Sequence, residues 1–144
     1  MDASPRWLLA VCLCAFSVGC GYPGEDQEDA RRSSQKNYEE ALALLASKDR
    51  AAAELKFTAA IDGGGLNPDA YTDAAIKRAV CWSGNGKADE ALAMLQSLES
   101  GGGPPDTIES ARSYILAKQG KAAESRAALA KARRLNPKVQ EFKD

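Results

Sequence analysis

Gly86-Lys87-Ala88-Asp89-Glu90 recurs as Gly120-Lys121-Ala122-Ala123-Glu124, 34 residues further along the chain. A fixed period of this length marks an array of like supersecondary units, each burying its apolar face against the next. Ala, Leu, Lys, Arg, Glu and Gln dominate from Tyr38 onward, while Val, Ile, Thr and aromatic residues are sparse. That is the composition of helices rather than of sheets, so the array is all-α. At 144 residues the chain has room for one core.

The period and the residues after it resemble the tetratricopeptide repeat family, whose second helix carries a small, a large and a small residue at spacings of four and three. Ala91, Leu95 and Leu98 occupy those places in the middle unit and Ser125, Leu129 and Ala132 in the last. Ala53, Phe57 and Ala60 supply a first unit, and Pro137 matches the proline that ends the motif. Spacings of three and four share one helical face, where small residues let neighbouring helices approach. Other positions depart from the family. Lys48 stands where Gly86 and Gly120 do, Arg78 and Arg112 replace a leucine, and Ala75 and Glu109 replace an aromatic residue; Ala79 and Ser113 keep the small residue.

The resemblance implies a right-handed superhelical stack of antiparallel helix pairs, with repeats over 35–67, 69–103 and 106–137. Helices are predicted near 35–47, 49–61, 69–83, 87–99, 106–118 and 121–135. Pro68 and Pro105 mark helix starts, with Asp69 and Asp106 in first turns, where a carboxylate meets unpaired N–H groups. Gly101–Gly103 marks a stop. Four extra residues fall within 63–68, a lengthening that costs little because loop closure depends weakly on length. Neither triple-glycine run is a phosphate loop, since neither leads into Gly-Lys-Ser/Thr.

Ahead of the repeats, residues 7–16 are apolar, follow Arg6 and lead into Ser17-Val18-Gly19-Cys20. So short a stretch falls below the roughly 20 residues that span a bilayer as a helix, and it reads as an export signal. Val18-Gly19-Cys20 resembles the end of a bacterial lipoprotein signal. The resemblance implies removal of residues 1–19, lipid attachment at Cys20 and, with Gly21 following, retention at the outer membrane. Ordinary signal cleavage and a retained apolar N-terminus are the alternatives. Residues 20–34, turn-forming and charged with little to bury, are expected to be a flexible tether. On the lipoprotein reading Cys81 is the remaining thiol, so packing holds the fold together without a disulfide.

The chain has no histidine, which removes the usual general base near neutral pH and the commonest zinc ligand. No catalytic site, cofactor or metal is expected. Formal net charge is -1, but Glu25 to Asp29 is acidic, whereas 112–144 holds nine Lys or Arg against three acidic residues. Such an end can steer an acidic partner. Nucleic acid is excluded for an exported chain.

Transferring the family's inner surface puts Tyr38, Leu42 and Leu45, then Ile76, Val80 and Ser83, then Ser110, Tyr114 and Lys118 on a protein-binding groove. The competing reading makes Tyr38, Leu42 and Tyr114 packing residues, as Cys81 and Trp82 are expected to be. The function implied is a membrane-tethered adaptor of the cell envelope that binds a protein or peptide; the alternative is an obligate structural subunit. Only residues 138–144 are left to cover the final pair.

Overall fold

The computed structural model describes residues 24–143. The signal segment 1–19, Cys20 and the first residues of the tether lie outside them. Six helices follow in order: α1 (Glu25–Ala46), α2 (Arg50–Asp62), α3 (Pro68–Ser83), α4 (Ala88–Ser100), α5 (Pro105–Lys118) and α6 (Ala122–Leu135). They form three tightly packed antiparallel pairs, α1 with α2, α3 with α4 and α5 with α6, and the pairs pack in sequence through α2 on α3, α4 on α5 and α3 on α5. The architecture is a helical-repeat stack.

The repeated glycine is a helix stop. Gly86 and Gly120 both have φ 76°, and Lys48 takes the same left-handed conformation at φ 66°. In each hairpin the next residue's N–H reaches back five residues: Asp49 to the Leu44 carbonyl at 2.9 Å, Lys87 to Trp82 at 3.2 Å and Lys121 to Leu116 at 3.0 Å. This closure satisfies a carbonyl that the helix end leaves unpaired. The first turn therefore has the geometry of the other two although its sequence lacks the glycine. Helix starts are fixed by side chains in two places, with Asp49 accepting from the Ala52 N–H at 3.1 Å and Asn67 from Ala70 at 2.8 Å.

Ala53, Phe57, Ala60, Ala91, Leu95 and Ala132 are fully buried, Ser125 is buried and Leu129 half-buried. Small residues here let the helices close up, and Phe57 and Leu95 fill the space between them. Ser125 adds a polar pairing, its hydroxyl donating to the Ser113 carbonyl at 2.8 Å beside the Ser113 hydroxyl at 3.1 Å. Cys81 lies in the cluster with Ala41, Ala53, Phe57 and Ala74. Half-buried Trp82 packs against the next cluster, formed by α3, α4 and α5, and carries Arg78 at 4.9 Å from its ring centroid.

Of the polar residues at positions where tetratricopeptide repeats are apolar, Glu109 and Arg112 pair with each other, while Arg78 lies over the Trp82 ring. Glu109, 2 % exposed, accepts from Lys131 at 2.6 Å and from Arg112, which also binds Glu99 at 2.7 Å. The Arg112 hydrogen bond holds the Glu99 carboxyl below its usual range, and the Glu109 hydrogen bond raises the Lys131 ammonium. Helices α4, α5 and α6 are thus tied by charge at positions where tetratricopeptide repeats carry an aromatic residue and a leucine.

One boundary differs from expectation. The segment expected to remain a tether to residue 34 is helical from Glu25. Its exposed ion pairs, Glu28 with Arg32 at 3.3 Å among them, contribute little. What holds it is close backbone approach. Ser34 is fully buried and its hydroxyl accepts from the Gly65 N–H at 3.1 Å. A Cβ on Gly65 would stand 2.3 Å from the Ala30 carbonyl oxygen, and one on Gly63 would stand 2.4 Å from Ser34 Oγ. The lengthened loop at 63–68 is therefore the cradle of α1, made possible by residues without side chains.

Candidate functional site

Pro137 ends α6 and the chain turns back. Asn136 makes the turn: its amide donates to Asp106 at 2.8 Å, its side-chain oxygen accepts from the Lys138 N–H at 3.0 Å, and its carbonyl accepts from Val139 at 3.0 Å. The following residues, neither helix nor strand, run along α5. Ser110 donates to the Gln140 carbonyl at 2.7 Å. Phe142 packs against the cluster that contains Val80 and Tyr114. Asp106, Ser110 and Tyr114 are spaced by four, so successive turns of one α5 face meet successive parts of this segment.

Arg50, the first residue of α2, closes the far end. Its guanidinium lies 5.1 Å from the Tyr114 ring centroid, donates to the Tyr114 hydroxyl, and donates to the Lys143 carbonyl at 3.0 Å. Lys118 approaches the same ring at 5.4 Å. A cation against the face of an aromatic ring is attracted to its quadrupole, more so where water is partly excluded. Glu141 is gripped by Arg133, with Nε at 3.0 Å, and that hydrogen bond holds its carboxyl below the usual range. A cleft of about 210 Å³ remains between Phe142, Leu45, Val80 and Arg50.

The other end of this face is open. A cleft of about 540 Å³ lies between the first turns of α3 and α5, lined by Asp69, Thr72, Asp73, Ile76 and Thr107 with the Gly101–Gly103 loop. Tyr38 reaches its edge, donating to Asp73 at 2.5 Å. Burial, then that hydrogen bond and the Asp73 charge, push the Tyr38 hydroxyl well above its ordinary range.

The residues expected to line a groove are distributed unevenly. Tyr38, Leu42 and Leu45 are half-buried against the first cluster. Ile76 and Val80 are buried in the second, and Tyr114 is 7 % exposed, enclosed by Arg50 and Phe142. Lys118 is exposed beside it. Ser110 and Tyr114 share one face of α5, and the chain's own segment lies over it. Residues 138–143, expected to cover the final pair, thus lie along α5. Phe142 stands out in the sequence as the one aromatic residue of a charged stretch, whereas nothing local distinguishes Arg50.

Among the described residues no group of three or more Cys, Asp or Glu is placed to hold a metal ion, and no helix is long and apolar enough to cross a membrane. No family model, curated protein or solved structure matches the chain.

Proposed function

We propose that this chain is a membrane-tethered adaptor of the bacterial cell envelope, binding a protein segment on the concave face of a divergent tetratricopeptide-type stack. The observation that carries this reading is the α5 face, where Asp106, Ser110 and Tyr114 receive a non-helical peptide segment at successive helical turns. Side chains that hold main-chain carbonyls, with an apolar seat for one ring, are what a peptide-binding face requires. The function is binding, with no reaction, cofactor or metal, and tethering is by lipid on Cys20 at the outer membrane.

The exposed large apolar residues among those described are Leu55, Tyr71 and Leu135, on three different helices. Single exposed residues of this kind are ordinary. They give no support to an obligate subunit, which needs a continuous apolar face.

Photoreactive side chains at positions 72 and 107, in the open cleft, test the binding reading in intact cells. Both are expected to capture one and the same protein, while positions 55 and 135 on the outside do not. Capture of unrelated proteins from all four positions refutes it. For the tether, Cys20→Ser is expected to abolish palmitate incorporation and release the chain from membranes; unchanged labelling refutes lipidation there.

A further inference from the structure

We infer that the segment 138–143 is a displaceable internal ligand, and that the partner carries a non-helical segment in which an acidic residue precedes an aromatic one. This deepens the concave-face reading above and rests on it. Four features of the seat define the motif. Ser110 takes the carbonyl two positions before the ring, at 2.7 Å from Gln140. Arg133 takes the acidic side chain immediately before it, with Nε 3.0 Å from Glu141. The Val80 and Tyr114 cluster takes the Phe142 ring. Arg50 takes the carbonyl after it, at 3.0 Å from Lys143.

Two of the four contacts are to main-chain atoms and would accept any sequence. Specificity therefore rests on the acidic residue and the ring. The cations at this end, Lys48, Arg50, Lys118 and Arg133, favour acidic surroundings in the incoming chain. Replacement is feasible because the seat is incompletely filled. Phe142 is half-buried, Gln140 and Lys143 are exposed, and about 210 Å³ stays open beside the ring. The segment hangs from the Asn136 turn, so it can swing away without unwinding α6.

A tethered ligand acts at an effective concentration on the order of 1 mM. If the free peptide binds with a dissociation constant of about 0.1 mM, occupancy by the internal copy weakens an incoming peptide roughly tenfold. The test uses the full chain, wild type and Phe142→Ala, with a fluorescent peptide of sequence NPKVQEFKD followed by anisotropy. The Phe142→Ala chain, its fold checked by circular dichroism, is expected to bind this peptide about tenfold more tightly than wild type. Replacing Phe by Ala in the peptide is expected to abolish binding, and replacing Glu by Lys to weaken it several-fold.

Equal affinity of the two chains, or no binding to folded Phe142→Ala, overturns the inference. Should positions 72 and 107 still capture a common partner in that case, the binding face stands and the internal-ligand proposal alone falls. Tight binding that ignores the Glu-to-Lys change overturns the motif.

Discussion

Gly65→Ala probes the contact that turns an apparent tether into helix. The added Cβ would lie 2.3 Å from the Ala30 oxygen and 2.5 Å from the Ala30 carbonyl carbon and the Arg31 Cα. All three are backbone atoms, and ordinary contact begins near 3.4 Å, so α1 must withdraw by about an ångström. Two responses are open. Keeping the segment docked under strain costs about 1–3 kcal/mol, as for overpacked cores, and also stretches the Ser34 to Gly65 hydrogen bond. Releasing residues 25–33 forfeits that bond, about 1 kcal/mol, and the partial burial of Ala30, well under 1 kcal/mol. Release is the cheaper course, and the freed turns, left at a helix end without tertiary contacts, fray. Urea unfolding should therefore report a modest loss of about 1–2 kcal/mol, while hydrogen exchange shows amides 28–34 losing protection. Gly64→Ala is the control. Gly64 has φ 67° with open space around it, so the variant pays about 1 kcal/mol of backbone strain without loosening α1. Unchanged exchange over 28–34 in Gly65→Ala would refute the cradle.

Three further outcomes are expected. Lys48→Gly relieves a left-handed lysine and should stabilise the fold by about 0.5 kcal/mol, after the greater unfolded-state freedom of glycine is allowed for; Gly120→Ala should cost about 1 kcal/mol, and equal effects of both substitutions in urea melts would contradict the shared turn. Glu109→Ala leaves Arg112 and Lys131 short of a buried partner and should cost about 2–3 kcal/mol, below the 3–5 typical of fully buried pairs because Lys131 is half in water, whereas Lys131→Ala should cost under about 1 kcal/mol; similar losses for both would show that the network is not centred on Glu109. Burial pushes the Cys81 thiol up to about 11 from 9.0. Its folded value is raised, so the stability it contributes is complete below pH 9 and fades as pH climbs to 11, a total of about 3 kcal/mol. Cys81→Ala, weaker by about 1 kcal/mol at pH 7 through lost packing, should overtake wild type near pH 10; unfolding curves that stay parallel from pH 7 to pH 11 would show the thiol does not titrate on unfolding.

Much of the fold was legible because its determinants are local. Ala91, Leu95 and Phe57 could be placed on buried faces from their spacing, and Gly86 and Gly120 marked hairpin turns because their conformation admits few other residues. Lys48 shows the limit of that logic. Its turn keeps the repeat geometry because the flanking helices and the Asp49 to Leu44 hydrogen bond impose it, so the missing glycine costs strain without changing the path. Glu109 and Arg112 looked like departures one at a time and became intelligible as a pair, which a position-by-position comparison cannot express.

The sequence by itself determined six helices, their hairpin turns and the small residues that let them close, since these follow from dihedral preference and periodicity within a few neighbouring residues. The tertiary structure alone decided that Gly65 meets Ala30 and that Ser110 and Arg50 hold the segment after α6. Those contacts join residues 30 to 93 positions apart, and their strength depends on distances that exist only once the pairs have stacked.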